Sequence, residues 1–260
     1  MSKSGITKQK YTLLYHLLSM REEALLSGLP KVLMKYYEKS SIHATQDYIY
    51  ALGEIPVTLI AHLDTIYCQP PTTIYHDPEH SVIWTPQGLG ADDRAGVFAI
   101  LHILEQGYRP SIIFTSKEEV GGLGAQQIVF DFPFPLVETY FLIELDRQGT
   151  YDAVYYDCGN RDFERFISSF GFITNIGSFS DIAIIGAVWN IASVNLSIGY
   201  VNEHSPAEML FYQDMFNTIK KVEAILENCG NKQYDYQAYC DDKIELCEDC
   251  KYEQQHGYKY

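Results

Sequence analysis

The sequence predicts an α/β fold, a three-layer α/β/α sandwich around a mixed, mostly parallel central sheet. Two observations lead to this prediction. Apolar runs of strand length alternate along the chain with segments in which apolar residues recur at helical spacing, and this alternation is typical of a parallel sheet covered by helices. The run 56–63 is almost continuously apolar, as expected for a strand that is buried on both faces of the sheet.

The N-terminal third of the chain predicts two helices, two strands and a hairpin. Apolar residues recur at helical spacing over 8–28, where Gly28 is expected to end the first helix. Pro30 can begin a second helix that runs to about Lys39. The elements that follow are strands over 47–52 and 56–63 and an edge hairpin over 74–84.

Helices and strands alternate through the rest of the chain, with glycine and proline residues as breaks between them. The predicted elements are, in order, helix 93–106, strand 111–115, helix 124–130, strand 140–145, strand 151–156, helix 163–170, helix 181–188, strand 191–198 and helix 206–228. No internal repeat or long flexible linker is recognisable before about residue 229. We therefore predict one domain over 1–228 and an acidic tail, rich in cysteine and tyrosine, over 229–260.

The charge of the chain argues against several classes of partner. Of its 260 residues 47% are hydrophobic, and 34 acidic residues against 19 basic ones give a net charge of −15. Such a charge repels phosphate backbones and anionic lipids, so we expect neither nucleic acid nor a membrane as a partner. The apolar stretch 11–18 contains His16 and runs into charged residues at 21–23, unlike a signal peptide or a transmembrane span. A cytoplasmic location is expected, with the six cysteines as thiols or metal ligands rather than disulfides.

Five short motifs place imidazole and carboxylate side chains at predicted ends of strands or helices. The motifs are AHLDT (61–65), GADDRAG (90–96), SKEEVGG (116–122), IELDR (143–147) and NEHSPAE (202–208). Their candidate metal ligands are His62, Asp92, Glu119, Asp146 and His204. Side chains at the carboxyl ends of parallel strands line one crevice, so these residues can converge there. The ligand types suit a pair of divalent ions, with zinc, manganese and cobalt all compatible.

Three further features of the sequence support this interpretation. Asp64 lies two positions after His62 on the same face of a strand end, where it can accept the second ring N–H of that histidine. Glu118 remains beside Glu119 as a spare carboxylate that can hold an attacking water. Ser205 to Glu208 reads as a capping box that begins a helix. Each motif alone also has a structural interpretation, such as a surface pair of glutamates or a helix cap; the five together predict a two-metal site.

The order HxD, DD-x-x-G, EE, D and H resembles the cocatalytic di-zinc exopeptidase superfamily, over about residues 10–228. That superfamily includes aminopeptidases, peptidase T-like tripeptidases and acetylornithine-deacetylase-like amidohydrolases. The segments GADDRAG and EEVGG look most similar to the peptidase T-like branch. The resemblance implies that Glu118 is a general base and then a general acid, that Asp64 orients His62, and that Asp92 bridges two metal ions. One ion would bind to His62, Asp92 and Asp146, and the other to Asp92, Glu119 and His204.

The spacing of the motifs departs from several branches of the superfamily. Deacetylase-like and peptidase T-like members carry a lid or dimerisation domain between the fourth and fifth ligands, and another branch has an insertion between the first two. Here Asp146 and His204 are 58 positions apart, and His62 and Asp92 are 30 apart. These connections are too short for such an insertion. We therefore expect a lidless catalytic domain, with a monomer as the default oligomeric state.

Substrate contacts and the tail are less specific in the sequence. The residues near the motifs are Arg94, Arg147, Arg161, Tyr200 and Asn202. An arginine among them could bind a substrate carboxylate, although for any one of these arginines a pair with a surface acid is the more common arrangement. Ser180 and Asp181 are expected to cap a helix or to support the metal ligands from behind. The tail cysteines, with His256 as a substitute, could form a structural zinc site, or they could be incidental thiols; they are Cys229, Cys240, Cys247 and Cys250.

The preferred functional prediction is a metal-dependent hydrolase that cleaves peptide or amide bonds, an exopeptidase acting on short peptides. A second hypothesis is an amidohydrolase or deacylase acting on N-acyl amino acids or other small amides. A third is a non-catalytic protein that keeps the fold and the metal ligands. The complete ligand set together with Glu118 favours the first two over the third.

Overall fold

The computed structural model describes residues 6–238. The helices are α1 (Lys8–Leu18), α2 (Glu22–Leu33), α3 (Ala91–Glu105), α4 (Leu123–Asp131), α5 (Arg161–Ser168), α6 (Asp181–Trp189) and α7 (Tyr212–Glu227). The strands are β1 (Ile42–Ala44), β2 (Tyr48–Ala51), β3 (Ile55–His62), β4 (Tyr75–Asp77), β5 (Val82–Trp84), β6 (Pro110–Thr115), β7 (Phe141–Arg147), β8 (Asp152–Val154), β9 (Ile173–Asn175), β10 (Ser193–Ser197), β11 (Tyr200–Val201) and β12 (Met209–Phe211).

The predicted three-layer sandwich is confirmed. Its central sheet has eight strands in the order β1-β2-β6-β3-β7-β10-β8-β9. The four middle strands β6, β3, β7 and β10 run parallel, whereas β1, β2 and β8 join antiparallel at the two sides. Two apolar clusters cover the two faces: the larger contains residues of α1, α2, α3, α5 and α7, and the smaller contains residues of α4 and α6. The middle strands are buried on both sides, which explains their continuous apolar runs.

The prediction for the first helices is wrong in its boundaries. Gly28 and Pro30 both lie inside α2, and the break between the helices falls earlier, after Leu18. Leu25, Leu29 and Leu33 of α2 recur every four residues and are buried, so burial of this face outweighs the weak helix propensities of glycine and proline. A β-carbon added at Gly28 would meet no atom within 4 Å, because this position faces open space.

A second, four-stranded antiparallel sheet in the order β11-β12-β5-β4 was not predicted as such. The hairpin expected over 74–84 forms β4 and β5, but it belongs to this small sheet rather than to the edge of the large one. The helix predicted over 206–228 is wrong in its first turns, since α7 begins at Tyr212. The apolar segment Met209–Phe211 forms β12 instead, because it finds a pairing partner in Val82–Trp84.

Within residues 229–238 of the predicted tail, Cys229, Tyr234 and Tyr236 pack against the domain. Tyr234 stacks on Phe166 and lies edge-on to Phe141, and its backbone bonds to Tyr140 and Ala192. Cys229 is half-buried as a free thiol beside this cluster, whereas Cys240, Cys247 and Cys250 of the predicted zinc site lie outside the described residues. Within residues 6–238, the longest apolar helix falls short of what a bilayer crossing requires.

Candidate metal centre

The predicted ligands meet at the carboxyl ends of the central parallel strands. β3 ends at His62, and Glu118 and Glu119 follow β6 in the next few residues. Asp146 lies within β7 rather than after it, one residue from the end of that strand. Asp92 is in the first turn of α3, and His204 lies in the loop between β11 and β12. This is the crevice at which ligands bind in open α/β sheets.

The first group of potential ligands consists of His62, Asp92 and Asp146, whose ligand atoms all lie within 4.8 Å of one another. His62 Nε2 is 2.9 Å from Asp92 Oδ1 and 3.4 Å from Asp146 Oδ1. The His62 ring is 1% exposed. An imidazole nitrogen and two carboxylate oxygens converging in a buried pocket form a donor set that suits a divalent cation such as zinc.

The second group consists of Asp92, Glu119 and His204, again within 4.8 Å of one another. His204 Nε2 is 3.2 Å from Asp92 Oδ2 and 2.9 Å from Glu119 Oε2. Asp92 belongs to both groups and turns one oxygen to each histidine, the arrangement that a bridging carboxylate needs. The His204 side chain is 52% exposed, so the centre opens to solvent on this side.

Asp64 supports both His62 and the Glu118–Glu119 pair. Its Oδ1 lies 3.3 Å from His62 Nδ1, and its two carboxylate oxygens accept the backbone N–H groups of Glu118 and Glu119 at 3.0 and 3.1 Å. Burial of Asp64 opposes its ionisation, but the hydrogen bonds from His62 and from these N–H groups outweigh burial and lower its pKa. His62 is thereby held with Nε2 toward the ligand cluster.

The carboxyl groups of the centre are crowded in a way that fits bound cations. Burial, followed by the charge of Asp92, raises the pKa of Asp146 to about 7. Burial also raises the pKa of Glu118 to about 8, with Asp146, Asp181 and Glu119 adding to the effect. These anions destabilise one another because they share a buried space, and divalent cations between them would remove that cost. The residues present therefore fit two metal ions.

Three residues that hold the ligands were missed or misassigned from the sequence. Asp93, fully buried, accepts N–H groups from His62 and Gly96 at 3.1 and 2.9 Å, and the second aspartate of GADDRAG was the available signal for it. Tyr200 was considered only as a substrate contact, but its hydroxyl donates to Asp146 Oδ1 at 3.0 Å. Glu208 was expected to cap a helix, which is wrong, because no helix begins there.

Glu208 instead anchors the turn that carries Asp92. Its carboxylate is 1% exposed and accepts the N–H of Gly90 at 2.8 Å and of Asp92 at 3.0 Å. We predict that Glu208→Gln lowers the free energy of unfolding by about 1–3 kcal/mol, because an amide NH₂ cannot accept one of these bonds and leaves a buried donor unpaired. Urea unfolding measures this loss. Glu203→Gln, the same change at a partly exposed residue of the same loop, is the control and should stay near wild type.

The other residues singled out in the sequence lie in more ordinary surroundings. Arg147 is 3.6 Å from Asp152, and Arg161 is an exposed residue of α5 that pairs with Glu164. Ser180 precedes α6 and makes no side-chain cap; its hydroxyl donates to Glu144, and the hydroxyl of Thr115 donates to Asp181. Both bonds are buried, and Thr115 is the register partner of His62 across β6 and β3. Arg94 is buried as well and is considered further below.

Comparisons with protein-family models and with curated protein sequences find no match. Solved structures do match. The match with aminopeptidase PepT from Bacillus cereus covers 87% of this chain and 100% of that protein, with 13% identity and a TM-score of 0.65. The match with an aminopeptidase of the archaeon Desulfurococcus kamchatkensis covers 85% of this chain and 95% of that protein, with 14% identity and a TM-score of 0.67. The chain therefore has the fold of these peptidases, the group whose motifs its sequence resembles.

Two other neighbours differ in assembly or in described activity. The TET1 peptidase of Pyrococcus horikoshii, which assembles into a tetrahedron or a large octahedral shell, matches with 15% identity and a TM-score of 0.57, over 79% of this chain and 94% of its own. A Thermotoga maritima protein described as an endoglucanase matches with 12% identity and a TM-score of 0.54, over 83% and 97%. The expectation of a monomer therefore finds no support among these neighbours.

Proposed function

We propose that this protein is a metal-dependent hydrolase that cleaves peptide or amide bonds, acting as an exopeptidase on short peptides. The observation that carries the proposal is the meeting of two ligand groups that share Asp92, with Glu118 beside them. The neighbours described as aminopeptidases support the choice of a peptide substrate. One neighbour is described as an endoglucanase, but glycoside hydrolases typically use a pair of carboxylic acids and no metal. The two imidazoles among the donors here favour a metal-dependent reaction instead.

The roles of the residues follow from their positions. His62, Asp92 and Asp146 would hold one ion, and Asp92, Glu119 and His204 the other. Two bound ions of this kind lower the pKa of a water molecule and polarise a carbonyl group. Glu118 accepts the proton of the attacking water and delivers it to the leaving amine. Asp64 and Asp93 fix the ring and the backbone of His62, so the ligand nitrogen does not reorient during turnover.

A second candidate is a deacylase that acts on N-acyl amino acids or other small amides. The same ligand groups and the same Glu118 serve this reaction, because both substrates present an amide carbonyl and an amine leaving group. Turnover of acyl-amino acids without turnover of dipeptides would select it. Bound metal without turnover across a broad substrate panel would instead favour a non-catalytic metal-binding protein.

Metal stoichiometry is the experiment that tests the proposal at its base. We expect about two zinc, manganese or cobalt ions per chain by mass spectrometry of the protein truncated after residue 238, a boundary that keeps the packed Tyr234. The full-length chain would carry a further zinc ion if its tail cysteines bind one. Fewer than two ions in the truncated chain after reloading with metal would contradict the two-metal site. Light scattering of the same sample measures the oligomeric state.

A further inference from the structure

A small cavity lies next to the candidate metal centre but is not part of it. It measures about 250 Å³ and is bounded by the junction of α1 and α2, the loop after β3 and the start of α3. Thr65 and Gly90 of its lining belong to the motifs that carry Asp64 and Asp92. Tyr67, also in the lining, donates its hydroxyl to the backbone of Ser205, beside His204. The cavity therefore borders the loops that hold both ligand groups.

Arg94 lines this cavity and makes no direct ion pair among residues 6–238, although the charges of Glu22, Asp64, Asp93 and Glu23 favour its cationic form from a greater distance. The side chain is 4% exposed, and among the same residues its Nε has no hydrogen-bond partner and its Nη1 makes one long bond, 3.5 Å, to the backbone oxygen of Leu17. Within residues 6–238, no carboxylate oxygen lies within 4.0 Å of this guanidinium. A buried cation is costly unless it is paired and hydrogen-bonded. A carboxylate in the cavity would pair with the Nε–H donor of Arg94, which is buried and left unsatisfied by residues 6–238.

The N-terminus of α2 faces the same cavity. Arg21 is the N-cap residue and makes no side-chain cap bond, and Arg21, Glu22 and Glu23 all contribute to the lining. The first N–H groups of a helix have no partner within it, and they carry a partial positive charge that favours anions. Glu22 and Glu23 in the first turn offset part of this charge, so α2 contributes hydrogen-bond donors for an acceptor in the cavity rather than a net positive charge.

The charges of the lining restrict what that anion can be. Two arginines, Arg21 and Arg94, are balanced by Glu22 and Glu23, so the cavity carries little net charge. This disfavours a multiply charged anion such as phosphate. The small net charge of the cavity suits a ligand that carries a single carboxylate together with an ammonium or an amide. A guanidinium can bind the carboxylate through two parallel hydrogen bonds, and the glutamates can accept the N–H groups.

We propose that this cavity binds the carboxylate of an amino acid or of a short peptide, with the Arg94 guanidinium and the N-terminus of α2 as its partners. The carboxylate has two potential sources. It is either the C-terminus of a peptide that is bound at the metal centre, a source that rests on the proposed peptidase function, or a free amino acid that binds on its own. The experiments below distinguish the two.

The peptide source is tested by kinetics on Leu-Gly-Gly and on its C-terminal amide. We expect kcat/KM to be about tenfold or more higher for the free acid, as for the loss of one charged hydrogen-bond partner. In Arg94→Gln this ratio should fall toward one, and Arg94→Lys should keep part of it. Arg165→Gln, which removes an exposed arginine of α5, is the matched control and should keep the full ratio.

The free amino acid source is tested by calorimetry with L-leucine, using leucinamide as the ligand that lacks the carboxylate. Cys68→Trp provides a second variant, because Cys68 is an exposed residue of the lining and a larger side chain there reduces the space at the cavity entrance. Binding of leucine but not of leucinamide, lost in Arg94→Gln and in Cys68→Trp, supports a separate amino-acid site. If Arg94→Gln does not fold, Cys68→Trp decides alone.

The outcomes separate this inference from the proposed function. Failure of the wild-type protein to hydrolyse either peptide counts against the peptidase function. The measurement of leucine binding then tests the carboxylate site in the cavity independently of that function. The inference is overturned if the wild-type protein neither prefers the free acid nor binds leucine. It is equally overturned if the preference or the binding persists unchanged in both cavity variants.

Discussion

Glu118→Gln should lower kcat on a peptide substrate by about 10³-fold, within the range expected when a general acid–base group is removed. The change keeps the shape of the side chain but removes its ability to accept a proton. The two ligand groups are left untouched, and the backbone bond from residue 118 to Asp64 is preserved. Metal content by mass spectrometry should therefore remain at the wild-type value, while steady-state kinetics record the loss.

The matched control for this variant is Glu203→Gln, the same isosteric loss of charge in the loop beside His204. It should retain wild-type kcat, because Glu203 belongs to neither ligand group. Retained activity in Glu118→Gln would remove the proton-transfer role from this residue. A parallel loss of activity and metal would instead assign Glu118 to the binding of the ions, and the division of labour between Glu118 and Glu119 would need to be reversed.

Asp92→Ala should abolish metal binding in both groups together. Asp92 turns Oδ1 to His62 and Oδ2 to His204, at 2.9 and 3.2 Å, so its removal takes one donor from each group. Bound metal ions stabilise the charge of the transition state by several kcal/mol, so their loss should lower kcat by on the order of 10³-fold or more. Mass spectrometry and kinetics on the same preparation measure both effects.

Asp77→Ala is the control for this second variant. Asp77 and His80 form an exposed carboxylate–imidazole pair at 2.7 Å on the β4–β5 hairpin, outside the two ligand groups. This variant should keep its metal and its rate. One ion retained in Asp92→Ala would show that the two remaining donors of one group are enough to bind it, and would contradict the joint loss expected here.

The fold class could be predicted because it depends on local patterns. Alternating apolar strands and amphipathic helices specify a covered parallel sheet wherever the strands pair, and β3, β6, β7 and β10 conform to this expectation. The boundaries near Gly28 and Met209 could not be predicted, because they depend on partners distant in the chain. The buried leucines of α2 and the pairing of β12 with β5 outweigh the local signals.

The candidate ligands could be predicted for a related reason. Each one is a polar residue at the end of an apolar strand or in the first turn of a helix, and a shared sheet edge brings such positions together. The residues that hold the candidate ligands in place were harder to predict from the sequence. Glu208 reads locally as a helix cap, and only the folded chain shows that its carboxylate binds the N–H groups of Gly90 and Asp92.

The sequence by itself therefore determined the chemistry of this protein: imidazoles, carboxylates and a spare glutamate on a three-layer α/β frame. The tertiary structure decided which oxygen faces which histidine and which buried groups hold the candidate ligands in place. It also placed Arg94 in a buried position beside the centre, where no carboxylate of residues 6–238 lies within 4.0 Å of it. The physical reason is that residue type and the spacing of apolar residues can be read directly from the sequence. Burial and pairing, in contrast, are properties of contacts between segments far apart in it.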